Sequence, residues 1–328
     1  PRRSSSIMPR RRQVVLVALA TLLVAGVSAA YTPDRPRAAL EARYLASGGD
    51  MRLVDGTRLH VRDTGPRDAP AIVLLHGLGA SLHTWDAWAA RLDSSFRVVR
   101  LDLPGHGLSG PDVTGDYRDT RTHRLLAALL DTLGIARATV VGNSIGGRIA
   151  WSFAAAQPSR VERLVLVAPD GFASPGFEYD RAPEVPATFK LLRVALPKWT
   201  IRMQLAPAYG DASRLDEATL TRYHDLLLAP GNRAALLERL SQTVLTDPRA
   251  RLRTIAAPVL LVWGSEDRLI PPRNAADYLA VLPRARRVVL QGLGHVPFEE
   301  APDAALAAVR PFLDSLRVPA SAVTPDRR

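Results

Sequence analysis

Short apolar runs alternate along this chain with longer amphipathic stretches. Ala71 to Leu75, Arg97 to Leu103, Ala138 to Val141, Val161 to Val167, Pro258 to Trp263 and Arg287 to Leu290 are rich in aliphatic and β-branched residues. All six read as strands, and the continuous apolar run Ala71 to Leu75 has the pattern of a strand buried on both faces. Two further strands, Met51 to Val54 and Arg58 to Arg62, flank Asp55-Gly56, a hairpin signal. Between the runs the apolar spacing is helical. Arg121 to Leu133 is one such segment and stops at Gly134, a good helix terminator. Others run from Gly147 to Gln157 just after the Ser144 turn, from Arg273 to Leu282 and from Pro302 to Leu316, with a short one at Ala38 to Tyr44. This alternation predicts an α/β fold, a mostly parallel sheet covered by helices on both faces.

The interval from Pro169 to Ala257 breaks the alternation. It holds eight prolines, from Pro169 to Pro248, and short helical patterns at Thr188 to Leu196, Glu217 to Leu228 and Arg233 to Thr246. It reads as a helical insertion between two strands. Ligands bind outside the carboxyl ends of strands in such sheets, and the insertion begins at one of those ends, so a lid is expected. The predicted organisation is a targeting segment at 1–30, a spacer at 31–50, core at 51–168, a helical cap at 169–256, core again at 257–316 and a flexible tail at 317–328.

Composition narrows the partners. The 328 residues are 47% hydrophobic and 23% charged, ordinary for a globular protein. With no cysteine, disulfides, thiolate metal sites and a cysteine nucleophile are excluded. The net charge of +11 is almost entirely arginine; Lys190 and Lys198 are the only lysines. The arginines are interspersed with acids, without a basic stripe carrying interleaved aromatics, so nucleic acid is not an expected partner. One dense cluster stands out: Arg2, Arg3, Arg10, Arg11 and Arg12 precede an uncharged stretch from Val14 to Ala30. A basic flank and an apolar core form a targeting signature. The expectation is a signal anchor, with a cleaved signal peptide as the alternative, the arginines inside and the remainder exported. The membrane is thus an expected partner through the N-terminal segment. Composition carries no information on oligomeric state.

The candidate chemistry centres on Ser144. It sits in Gly142-Asn143-Ser144-Ile145-Gly146, directly between a strand pattern and a helix pattern. That is a nucleophile elbow, a sharp turn that lifts the serine hydroxyl off the sheet. Glycine is expected at 142 and 146 because a larger residue would crowd the adjoining chain. A serine hydroxyl needs a base and the base an orienting acid. In this kind of sheet the order is serine, acid, histidine. Asp267 follows a core strand in Trp263-Gly264-Ser265-Glu266-Asp267 and is the acid candidate, with Asp170 as the alternative and Glu266 expected to point away. His295, in Gly292-Leu293-Gly294-His295 after the last strand, is the base candidate. His76 and His106 lie in Gly-rich loops and are expected to shape backbone; His60, His83, His123 and His224 have no supporting context. An acyl-transfer site also needs oxyanion donors. The loop His76-Gly77-Leu78-Gly79 follows the third strand, so the backbone N–H groups of Leu78 and Ile145 are the expected pair. No histidine spacing suits a metal, and no phosphate loop or nucleotide fingerprint occurs, so no metal or cofactor is expected.

The segments His76 to Gly79, Asp102 to Ser109, Gly142 to Gly147, Gly264 to Pro271 and Gly294-His295 together resemble the α/β-hydrolase fold superfamily over roughly Met51 to Leu316. The resemblance implies an eight-stranded sheet, a triad of Ser144, Asp267 and His295, and hydrolysis without a cofactor. Serine at 144 argues against the haloalkane dehalogenase and epoxide hydrolase branches, which use aspartate. Gly142-Asn143-Ser144 followed by Gly146-Gly147 is similar to the meta-cleavage-product hydrolases, which cut C–C bonds. Those usually carry a tryptophan just past the histidine, where this chain has Val296-Pro297-Phe298. The expected activity is hydrolysis of a small-molecule carboxylic ester of small to medium apolar character. The alternatives are a C–C hydrolase, a cofactor-free haloperoxidase and a catalytically silent binding protein on the same fold.

Overall fold

The computed structural model describes residues 31–173 and 178–315. The expected targeting segment at 1–30 and the tail at 317–328 lie outside the described residues. Eight strands form one sheet: β1 (Met51–Val54), β2 (Thr57–Thr64), β3 (Ala71–Leu75), β4 (Arg97–Leu101), β5 (Ala138–Asn143), β6 (Val161–Val167), β7 (Val259–Gly264) and β8 (Ala285–Leu290). Their order is β1-β2-β4-β3-β5-β6-β7-β8. β2 is antiparallel to β1 and β4; all other neighbours are parallel. The strand order reverses between β3 and β5, with Leu75 paired to Gly142. Such a switch point opens a crevice at the carboxyl ends of the strands.

The apolar runs split by parity, as pleating requires. Ile72, Leu74, Val165, Val167, Leu260 and Val262 face one layer with Trp85, Trp88, Phe298 and Val309. Val73, Leu75, Leu164, Leu166, Leu261 and Trp263 face the other, with Leu129, Ile149, Phe153 and Tyr278. The helices are α1 (Arg37–Tyr44), α2 (Asp86–Leu92), α3 (Asp119–Thr132), α4 (Ile145–Ala156), α5 (Lys198–Leu205), α6 (Glu217–Leu227), α7 (Asn232–Gln242), α8 (Arg249–Leu252), α9 (Ala275–Leu279), α10 (Pro297–Glu300) and α11 (Pro302–Asp314). Gly134, with φ 65°, ends α3 as expected. The N–H groups of Gly134 and Ile135 donate to the carbonyls of Asp131 and Leu130, closing a Schellman cap. Among the described residues no helix is long and apolar enough to cross a membrane.

Several boundaries differ from expectation for identifiable reasons. β4 stops at Leu101, not Leu103, because Asp102 turns its carboxylate into the neighbouring loops. The stretch expected as a helix at Thr188 to Leu196 is a 3-10 segment, Ala187–Arg193. The helix expected at Arg273 to Leu282 opens as a 3-10 turn, Pro272–Asn274, before α9. The expected spacer is docked: Leu40 packs with Leu108, Leu226 and Ala229. Asp225 on α6, its side chain 1% exposed, pairs with Arg35 and Arg43 and accepts a hydrogen bond from Tyr44.

A polar hub fixes the loops after β3 and β4. Buried Asp102 accepts Leu82 N–H at 2.6 Å on one carboxylate oxygen. The other accepts Leu108 N–H at 2.8 Å and contacts His60 Nδ1 at 2.8 Å. Burial alone would raise the Asp102 carboxyl; His60, through charge and hydrogen bond, with His83 and His76, outweighs it and holds the group well below the usual range. His60 therefore has the supporting context that its sequence neighbourhood did not show. Burial also depresses His76 and His106 and brings His83 and His123 down to about 4.

These histidines set an acid limit. Unfolded, they take up protons near 6.5, whereas folded His83 and His123 do so only near 4. Below 6.5 the unfolded chain binds more protons, so stability is fully present above that value and is lost as pH falls. Asp102, also depressed, adds to the loss at still lower pH. Urea unfolding followed across pH should therefore show stability falling steadily below about 6.5; a flat profile down to pH 4 would contradict the assignment.

Candidate active site

Ser144 occupies the turn between β5 and α4 with φ 54° and ψ −121°. A conformation of this kind costs ~1–3 kcal/mol in a non-glycine residue and persists only where neighbours enforce it. Here the Ser144 N–H donates to the Val167 carbonyl at 3.1 Å. Its own carbonyl accepts from the N–H groups of Arg148 and Asp170, each at 3.0 Å. The chain also passes close to itself. A Cβ on Gly142 would lie 2.2 Å from the Gly146 carbonyl oxygen, and one on Gly146 would lie 2.5 Å from that of Leu75. Both obstacles are backbone and cannot yield, so glycine is required at each position.

His295 is buried, and its Nδ1 lies 2.8 Å from Asp267 Oδ2. The other Asp267 oxygen accepts the N–H groups of Leu269 and Ile270, each at 2.9 Å. The carboxylate is thus held with one oxygen free for the imidazole. This contact places the proton on Nδ1 and leaves Nε2 as an acceptor. Asp170 is engaged elsewhere: Arg148 lies 3.3 Å from its carboxylate and 3.2 Å from that of Asp119. Burial raises the Asp170 carboxyl, with Arg148 opposing. Glu266 is exposed.

Ser144 and His295 line one cavity of about 300 Å³ together with Gly77, Leu78 and Gly79. Ile145 is the first residue of α4, where N–H groups have no intrahelical acceptor. The His76 loop is fixed through its ring: Nε2 accepts Leu103 N–H at 2.9 Å, which leaves Nδ1 to donate to the Gly77 carbonyl at 2.8 Å. The rest of the wall comes largely from the segment between β6 and β7, through Ile201, Leu205, Ala208, Tyr223, Leu227 and Leu236. No arginine or lysine among the described residues lines this cavity. Nor do the described residues contain three His, Asp or Glu grouped to hold a metal.

Two positioning residues escaped the sequence reading. Asn143 Nδ2 donates to the carbonyls of Val167 at 3.1 Å and His295 at 3.0 Å, tying the elbow to the histidine loop. Glu300 accepts three backbone N–H groups, from Gly294 at 2.7 Å, Asp211 at 2.9 Å and Gly210 at 3.1 Å. The His295 N–H donates to the Ala208 carbonyl at 2.7 Å. Asn143 could have been suspected from its place inside the elbow. Glu300 gave no signal, because two of its three donors, Gly210 and Asp211, lie far from it in sequence.

The sequence profile described as the alpha/beta hydrolase fold matches residues 70–302, and the chain belongs to that family. A 2-hydroxy-6-oxononadienedioate/2-hydroxy-6-oxononatrienedioate hydrolase of Cupriavidus pinatubonensis is 32% identical over 267 residues, 76% of this chain and 91% of that one. A bacterial membrane phospholipase A superposes with a TM-score of 0.70 at 26% identity, covering 94% of this chain and 100% of that one. The enol-lactonase of Burkholderia xenovorans superposes with a TM-score of 0.69 at 27% identity, covering 80% and 99%. The fold and these relatives make the chain a hydrolase.

Replacing Glu300 by alanine strands three backbone donors around His295. The variant should remain folded but lose about 1–3 kcal/mol in urea unfolding. Its kcat as a hydrolase should drop up to about 100-fold with little change in KM. An unchanged kcat would show that the Glu300 contacts do not position His295.

Proposed function

We propose that this chain is a serine hydrolase that cleaves carboxylic esters of apolar acyl groups without a cofactor. His295 Nε2 takes the Ser144 proton as Oγ attacks the ester carbonyl. The backbone N–H groups of Leu78 and Ile145 receive the oxyanion, aided by the positive end of α4. Losing one such donor costs roughly 3 kcal/mol of transition-state stabilisation. His295 then protonates the departing alkoxide, leaving an acyl group on Ser144. Water, deprotonated by the same nitrogen, releases the acid and restores the serine. Asp267 keeps the imidazole in the required tautomer and stabilises it when charged. The segment between β6 and β7 acts as the lid.

The observation that carries the ester reading is the cavity wall. Aliphatic side chains dominate it, and no cationic side chain among the described residues reaches it. An uncharged acyl chain fits such a wall, whereas a carboxylate buried there would be uncompensated. The names of the phospholipase A and the enol-lactonase point the same way. The C–C hydrolase reading rests on relatives named for a dioate substrate at 32–33% identity. A doubly anionic substrate calls for cationic partners, and no arginine or lysine among the described residues lines this wall. The basic cluster and the uncharged stretch at residues 14–30 support export with a membrane anchor.

Nitrophenyl esters of increasing chain length, assayed beside a ring-cleavage dienoate, separate the two readings. The esters should be turned over with the higher kcat/KM, and Ser144→Ala should lower it by roughly 10⁴-fold or more. Preference for the dienoate would reverse the assignment. A folded Ser144→Ala variant of undiminished activity would remove the mechanism.

A further inference from the structure

The described residues expose twelve large apolar side chains, and five of them fall in one stretch: Phe189, Leu191, Val194, Trp199 and Met203. Trp199 is 63% exposed and Met203 66%. They stand four residues apart on α5, on one face of the helix. Ile201 and Leu205 of the same helix line the cavity over Ser144. One helix therefore carries the cavity wall on one side and unburied apolar surface on the other. A grouping of this kind in water marks an interaction face.

Three observations indicate what covers it. The chain arriving from the uncharged stretch 14–30 joins the structure at this face: Thr32 N–H donates to the Val194 carbonyl at 2.9 Å, and Leu196 N–H donates to Thr32 Oγ1 at 3.1 Å. Both lysines of the protein, Lys190 and Lys198, border the face, with Arg193 and Arg202. Glu217 pairs with Lys198 and Arg202, and Glu238 with Arg193, so four cations meet two carboxylates and the rim stays positive. Finally, an exposed tryptophan beside long-stemmed cations is the composition that settles at the headgroup boundary of a bilayer.

We infer that the face formed by Phe189, Leu191, Val194, Trp199 and Met203 rests on a phospholipid bilayer. Its basic rim meets anionic headgroups. The cavity over Ser144 then lies one helix away from the acyl chains. The inference stands apart from the ester reading, since it concerns a surface and not a reaction. The competing occupants are a second copy of the chain and residues 14–30 folded back over the face.

Trp199 is a built-in probe, because Trp85, Trp88, Trp151 and Trp263 are all buried. The full chain is reconstituted into vesicles of phosphatidylcholine and phosphatidylglycerol, with acyl chains brominated or not, and compared with its Trp199→Phe variant. The fluorescence component lost in the variant should be quenched by brominated lipid and shielded from iodide. If it is open to iodide and untouched by bromine, the face is in solvent and the inference fails. If it is shielded from iodide yet untouched by bromine, protein covers the face and the inference fails as well. Neither result depends on catalysis, so failure here is distinct from failure of the ester reading.

Discussion

The backbone of Ser144 is the constraint on which the rest of this structure turns. A serine at φ 54° and ψ −121° is unstable alone and is held by bonds to β6 and to the start of α4. Those bonds exist only because β5 lies mid-sheet, next to β3 at the reversal of strand order. The same approach forces glycine at 142 and 146 and brings the His76 loop against the elbow. Core packing on both faces of the sheet makes this position rigid, so the local strain is sustained by the whole fold.

Around that point, polar contacts do what apolar packing cannot, which is to fix direction. Asp102 gathers the loops after β3 and β4. His76 passes that order on to Gly77, and so to the neighbour of Leu78. Asn143 grips the loop of His295 from the elbow, and Glu300 of α10 ties that loop to Gly210 and Asp211 in the segment between β6 and β7. Buried groups of this kind are stable only when fully bonded.

Much of this was legible in the chain. The continuous apolar run Ala71–Leu75 specified a doubly buried strand, and Gly134 marked a helix end through its positive φ. Ser144, Asp267 and His295 were legible because each follows a strand at a glycine-marked turn, and the structure brings Asp267 to His295 and His295 to the Ser144 cavity. What stayed hidden depends on contacts between distant segments. α2 is a single short helix held by Trp85 and Trp88 against Phe298, more than two hundred residues away. The docking of 31–50 rests on Asp225, and the role of His60 rests on Asp102. Neither pair shares a local signal. In the proline-rich segment, periodicity over Thr188 to Leu196 suggested an α-helix, yet that stretch is a 3-10 segment with several apolar side chains facing outward.

The central claim is that Ser144 is the residue that carries the acyl group. It is tested most directly by treating the full chain with a fluorophosphonate and mapping the modified peptide by mass spectrometry. One adduct is expected, on Ser144, absent from a folded His295→Ala variant. An adduct on another serine, or equal labelling without His295, would contradict it.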